Sequence, residues 1–163
     1  MRILGIDPGL ATVGFGIIDS VRGMDFNAVE YGAVLTPAGS KTQDRLYEIY
    51  RNIDELAKNY KPDAVSIEKL YFNTNEKTAI NVAQARGAIL VAVRANNIPI
   101  YEYTPLQIKQ ALTGYGRAEK QQIMYMVKTI LKLNREPRPD DTADALAAAI
   151  CHAYSSASSL FGL

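Results

Sequence analysis

The feature that most constrains the fold is an apolar run near the start of the chain, from Ile3 to Ile6, that ends on the acid Asp7. A run of this kind predicts a buried strand, and Pro8 and Gly9 end it. Asp7 is therefore expected at the carboxyl end of a central strand, where a buried carboxylate needs a partner. Two interpretations remain open: Asp7 accepts hydrogen bonds from the turn around Gly9, or it is a metal-binding or phosphate-facing acid.

A second apolar run, at residues 64–68, also ends on an acid, Glu68. It follows a helical pattern at residues 42–59, so this strand is expected to lie parallel to the first strand and beside it. Open α/β sheets hold their sites at the carboxyl ends of neighbouring strands. We therefore expect Asp7 and Glu68 to project from adjacent strand ends.

The rest of the pattern predicts an α/β fold with a five-stranded mixed sheet, three antiparallel strands followed by two parallel ones, flanked by helices on both faces. Gly14 and Gly16 alternate with apolar residues in the second strand, which indicates that backbone or a ligand approaches one face closely. We expect one domain over residues 1–154 and a flexible Ser-rich tail over residues 155–163. The further strands are predicted at 13–18, 26–35 and 98–103, and the further helices at 76–96, from 104, at 119–133 and at 140–154.

Two more acids, Asp141 and Asp144, lie three residues apart at the start of the last predicted helix and therefore share one helical face. Asp140 is explained as a helix cap. Asp144 stands among small apolar residues, and no Lys or Arg follows Arg138, so a divalent cation is the natural compensation for its charge. Four carboxylates suit a hard cation such as Mg²⁺ or Mn²⁺, and two such ions would assist phosphoryl displacement.

Charge and composition bound the partners. The net charge is +1, but residues 105–138 hold seven basic groups against two acids, which indicates either a phosphate-binding surface or a solvated helix face. No apolar run is long enough to span a membrane, and no secretory signal is visible. The single cysteine, Cys151, is expected in the core, and a cytoplasmic location is expected.

Five segments together resemble the RuvC family of Holliday-junction resolvases: GIDPGLATVGFGII, IEKLYFN, AQARGAIL, TPLQIKQALTGYGRAEKQQI and DTADALAAAICH. The resemblance implies an RNase H-like fold and a homodimer. It implies Mg²⁺-dependent paired nicks across four-way junction DNA that leave 5′-phosphate and 3′-hydroxyl ends. It also implies a partnership with RuvA and RuvB.

The same resemblance, carried over position by position, implies functional residues in this chain. The implied catalytic and metal-binding acids are Asp7, Glu68, Asp141 and Asp144; some family members have His at the third position, so Asp141 is the least fixed. The implied DNA-binding residues are Tyr71, Lys109 and Lys120, with Arg117 as a further backbone contact. The residues leave open whether Tyr71 or Phe72 meets the bases, or whether both pack under their loop.

The long helix at 76–96 carries two apolar stripes, although a surface helix needs only one. We expect a second subunit to cover one of them, because symmetric cuts need two sites; the alternative is a helix buried within the monomer. Two other functions remain open from the residues alone: an actin-like ATPase that holds phosphate at the Asp7 turn, and a non-catalytic nucleic-acid-binding module. The stripes are Ile80, Ala83, Gly87, Leu90 and Val91, and Val82, Ala85, Ile89 and Val93.

Overall fold

A computed structural model describes residues 1–21, 25–69 and 76–161 of the chain. Tyr71 and Phe72 lie outside these residues. Within the described residues, the strands are β1 Arg2–Asp7, β2 Thr12–Val21, β3 Asp25–Leu35, β4 Ala64–Glu68 and β5 Ile100–Tyr103. The helices are α1 Thr42–Tyr60, α2 Glu76–Ala95, α3 Pro105–Thr113, α4 Lys120–Ile130 and α5 Asp140–Phe161.

The five strands form one sheet in the order β3-β2-β1-β4-β5. β1 pairs antiparallel with β2 and β2 with β3, whereas β4 is parallel to β1 and β5 is parallel to β4. The predicted mixed sheet is therefore confirmed, including the place of β1 beside β4. β2 runs three residues beyond its predicted end at Ile18, where the guanidinium of Arg2 pairs with the Asp19 carboxylate at 2.8 Å.

Helices cover both faces of the sheet, as the sequence predicted. One core lies between the sheet and helices α1 and α2, and the other lies between the sheet and helices α3, α4 and α5. The alternating side chains of β1 supply both cores: Ile3 belongs to the second core, and Leu4 and Ile6 to the first. The sheet thus holds Asp7 at the end of a strand that is anchored on both sides.

Helix α5 continues past Tyr154, where the sequence analysis ended it, as far as Phe161. Ser155 is part of the helix and its hydroxyl donates to the Cys151 carbonyl oxygen at 2.9 Å. The limit expected for the helix was therefore too short, while the flexibility of residues 155–163 stays a prediction. Cys151 is buried, as expected. None of the helices in the described part of the chain has the length and apolar character that a bilayer crossing requires.

Candidate active site

The two acids at the strand ends are neighbours in the sheet. β1 and β4 pair in parallel register with Ile6 opposite Ile67, so Asp7 and Glu68 are the next residues on the two adjacent strands. Both side chains are partly buried. The expected juxtaposition is confirmed, and it follows from parallel pairing of two strands that end at the same level.

Helix α5 brings the other two acids to the same edge because two glycines leave room for it. Gly14 is the β2 partner of Asp7, and a Cβ on Gly14 would fall well inside van der Waals contact with the backbone carbonyl of Asp141. A Cβ on Gly16 would collide with the Leu146 side chain. The prediction of a close approach at these glycines is confirmed, and the approaching group is the first two turns of α5.

The four carboxylates share one electrostatic environment. Burial, followed by the negative charges of Asp144, Glu68 and Asp141, raises the pKa of Asp7 to about 8. Burial and the charge of Asp144 raise the pKa of Glu68 above its usual range, and burial raises that of Asp144. Each of these shifts means that the fold disfavours the ionised carboxylate. The site therefore has negative charge that its own cations do not neutralise.

Oxygen donors with excess negative charge fit a hard divalent cation such as Mg²⁺. The acids fit such an ion by their chemistry and by their position at one edge of the sheet. Among the described residues, however, no three Asp, Glu, His or Cys side chains converge as the ligands of one ion would. Asp7, Glu68, Asp141 and Asp144 come from one strand pair and one helix that meet at the same edge of the sheet. Their carboxylate chemistry supports a cation site there.

Two lysines line the cleft in front of the acids. The cleft has a volume of about 260 Å³ and is bounded by α3 and α4 on one side and by Glu68 and Asp144 on the other. Lys109 of α3 opposes the rise in the Glu68 pKa, and Lys120 of α4 opposes the rise in the pKa of Asp144. The remaining lining residues are Pro105, Ile108 and Ile123.

Capping interactions fix where these two helices begin, and hence where the lysines lie. The Thr104 hydroxyl accepts from the Gln107 amide at 3.1 Å, and the Gln107 side chain accepts from the Thr104 amide at 2.9 Å. At the start of α4 the Gln122 side chain accepts from the Glu119 amide at 3.0 Å. Lys120 is the first residue of α4 and its ammonium faces the acids. Reciprocal caps of this kind satisfy the free amides of a first turn.

The other predicted DNA-binding residues, and the other basic residues of segment 105–138, do not all lie at the cleft. Arg117 is exposed between α3 and α4 and does not line the cleft. Lys132 pairs with Asp25, which begins β3 at the end of the sheet opposite Asp7. The basic segment 105–138 is therefore divided, and only part of it faces the acids. Tyr71 is not among the described residues, so its role stays a prediction.

The sequence analysis missed the connection that Asp140 makes. It was interpreted as a helix cap, and it does stand in the first turn of α5. Its carboxylate also lies 3.4 Å from the Lys120 ammonium and accepts from Arg138 at 2.9 Å. The only available signal was the basic residue two positions earlier, because the partner Lys120 is twenty residues away in sequence.

Comparisons with known proteins show which family this sequence matches. The family model described as crossover junction endodeoxyribonuclease RuvC matches residues 3–152. The chain is 51% identical over 161 residues to the protein of that name from Caldicellulosiruptor saccharolyticus, covering 99% of this chain and 97% of the relative. It is 56% identical over 155 residues to the one from Clostridioides difficile, covering 95% of this chain and 91% of the relative.

Two solved structures are similar as well. One is described as T. thermophilus RuvC in complex with Holliday junction substrate; it is 34% identical with a TM-score of 0.93, over 98% of this chain and 96% of that one. The yeast mitochondrial Holliday junction resolvase Ydc2 has a TM-score of 0.71 at 11% identity, over 98% of this chain and 82% of that one. At that identity the second likeness shows the fold alone.

Proposed function

The chain belongs to the RuvC family of crossover junction endodeoxyribonucleases, and we propose that Asp7, Glu68, Asp141 and Asp144 are its catalytic acids. The RNase H-like fold implied by the sequence is confirmed, and the protein is a junction-binding endodeoxyribonuclease. The observation that carries the residue assignment is the placement of the four acids at one edge of the sheet, where burial, followed by the negative charges of the other three acids, raises the pKa of Asp7 to about 8. Structural ion pairs would lower that pKa instead.

The family is metal-dependent, and the four acids are the groups that would hold its ions. We infer Mg²⁺ as the natural ion, two per site, with Mn²⁺ able to substitute, because all four donors are carboxylates. Held by these four acids, the ions would supply positive charge to the phosphate oxygens, would acidify an attacking water and would offset the repulsion between the acids and DNA.

The chain's own residues then position the phosphate. Lys109 and Lys120 project into the cleft from two capped helices, where their ammonium groups stabilise the charge that develops on the phosphate oxygens. Water attacks phosphorus in line with the 3′ oxygen; the P–O3′ bond breaks and the 3′ oxygen takes up a proton. The products are a 5′-phosphate and a 3′-hydroxyl. Arg117 contacts the DNA backbone, and Tyr71 stacks on a base near the crossover.

A homodimer would place two such sites around the junction for paired symmetric nicks. Support comes from α2, which buries Ala85, Ile89 and Val93 of the inner stripe while Ile80 and Val91 on the outer stripe are 68% and 61% exposed. Large apolar side chains grouped on one helix face favour a protein partner. Cooperation with RuvA and RuvB, and action in the cytoplasm, complete the proposal on the basis of the family.

The test is a nicking assay on a synthetic four-way junction with Mg²⁺, with linear duplex and fork DNA as controls. Asp7→Asn should reduce cutting by at least about 10³-fold, because it removes a ligand charge at the reacting phosphate, while junction binding survives. Asp44→Asn, a change to an exposed acid in the first turn of α1, should cut like the wild type. Cutting by Asp7→Asn at the wild-type rate would contradict the assignment.

Of the two alternative functions, neither gains a specific observation. The ATPase reading used only the Asp7 turn, whereas the family match extends over residues 3–152. The same assay distinguishes a non-catalytic nucleic-acid-binding module from a nuclease, since such a module would bind the junction without cutting it.

A further inference from the structure

Lys120 is shared between two carboxylates of different character. Its ammonium nitrogen lies 3.5 Å from Oδ2 of Asp144 and 3.4 Å from Oδ2 of Asp140. Asp144 is one of the four acids of the proposed site, while Asp140 is the helix-terminal acid beside it. The lysine therefore lies midway between a functional carboxylate and one that has no other part in the site.

Arg138 holds Asp140 in the orientation that this sharing needs. The guanidinium donates to Oδ1 of Asp140 at 2.9 Å and leaves Oδ2 to face Lys120. Arg138 also pairs with Glu136 at 3.9 Å. Glu136 and Asp140 therefore both pair with Arg138. Of these two acids, Asp140 is the one whose ion pair with Lys120 the structure shows.

We propose that Lys120 is an internal counter-ion that a divalent cation must displace from Asp144, and that Asp140 is the positioning residue that receives the displaced lysine. An ammonium group and a divalent cation cannot share one carboxylate without repelling each other. Asp140 gives Lys120 a second carboxylate beside the cleft, so that the lysine stays available to a phosphate after the cation binds. This inference rests on the proposed function.

The consequence is a coupling between Lys120 and Asp140 that is visible in metal binding without DNA. Removing Lys120 should strengthen cation binding. Removing Asp140 should weaken it, because the lysine then remains on Asp144. If the two acids at positions 136 and 140 act only through their overall charge, however, their removal should have similar effects whether or not Lys120 is present.

The experiment is a titration of the DNA-free protein with Mn²⁺, with free Mn²⁺ followed by electron paramagnetic resonance. Lys120→Met should bind Mn²⁺ about 2–5-fold tighter, the range expected for a partly exposed charge pair. Asp140→Asn should bind about 3-fold weaker than the wild type, yet in the Lys120→Met background it should change affinity no more than the matched control Glu136→Gln does. Far-UV circular dichroism verifies that the variants are folded.

Two results would overturn the counter-ion role: equal effects of Asp140→Asn in both backgrounds, or no gain of affinity in Lys120→Met. The proposed function fails separately, if Mn²⁺ binding survives unchanged in Asp7→Asn or if the wild type binds Mn²⁺ but does not cut junctions with it. A wild type that neither binds Mn²⁺ nor cuts would overturn both.

Discussion

The helices α2 and α5 lie on opposite faces of one sheet and differ in what they expose: α5 presents negative charge, and α2 presents apolar side chains. α5 is buried along most of its length, and its first turns carry carboxylates whose charge Lys120 neutralises only in part. α2 buries Ala85 and Ile89 but leaves apolar Ile80 and Val91 in solvent. The charge on α5 thus favours binding of cations on one face of the sheet, and the exposed side chains of α2 favour binding of an apolar partner on the other.

Glycine shows the same contrast. Gly14 lies under the backbone of Asp141, and no space remains for a side chain. Gly87 lies in the middle of α2 with no described atom within 4 Å of the place its Cβ would take. One glycine is needed for packing within the chain. The other weakens a helix without any benefit visible inside the chain.

The largest effect is expected from Gly14→Ala. The new Cβ would collide with the Asp141 carbonyl, so the first turn of α5 must move away from β2 by an ångström or more. Displacement of reacting groups by about 1 Å costs about 10²-fold in rate, and overpacking costs about 1–3 kcal/mol of stability. Junction-cutting rates and urea unfolding measure both. Gly39→Ala, at a glycine with open space around it, is the control; a fully active Gly14→Ala would break the contrast between the helices.

Next is the association of two chains through α2, tested with Val91→Glu. A carboxylate in the centre of an apolar interface, facing its symmetry mate, should weaken association by about 10²-fold or more. Sedimentation velocity over a concentration series measures this, and the variant should nick junctions singly. Tyr125→Glu changes an equally exposed residue on α4, 61% in both cases, and should leave association intact. A wild type that stays monomeric at every concentration would contradict the proposal.

The sequence predicted the fold well because its signals are local. β4 and the start of α5 lie where periodicity and turn residues placed them. Gly14 indicated that backbone or a ligand approaches the sheet closely, and the approaching backbone is that of α5. What could not be predicted depends on contacts between distant segments. Asp140 looks like a cap because capping is a short-range property, while its ion pair with Lys120 exists only once α4 packs beside α5.

The third prediction concerns the charge that α5 adds to the site. With its folded-state pKa at about 8, Asp7 holds a proton between about pH 4 and 8 that the unfolded chain has already lost. The unfolded state binds fewer protons in that window, so stability falls as pH rises through it. Without divalent metal, Asp7→Asn should therefore melt at least about 5 °C above the wild type at pH 8, and the difference should shrink towards pH 5.

Differential scanning calorimetry in EDTA, at pH 5 and at pH 8, measures this difference. Excess Mg²⁺ at pH 8 should raise the melting temperature of the wild type more than that of the variant, since it binds the ionised acids of the folded state. A wild type as stable as Asp7→Asn at pH 8 in EDTA would show that the Asp7 carboxylate is compensated within the chain. The two helices would then differ less than the structure indicates.

The smallest effect, and the finest test of the contrast, is expected from Gly87→Ala. Alanine is favoured over glycine within a helix by about 1 kcal/mol, and no described atom obstructs its methyl group within the chain. In the Val91→Glu background, where the chains are separate, Gly87→Ala should therefore raise the free energy of unfolding by about 0.5–1 kcal/mol. In the proposed dimer of the otherwise wild-type chain, the same methyl group should weaken association, because Gly87 lies on the stripe that we propose a partner covers. A stabilisation of equal size in both backgrounds would mean that the partner does not approach α2 at Gly87, and that the outer stripe meets it only at its ends.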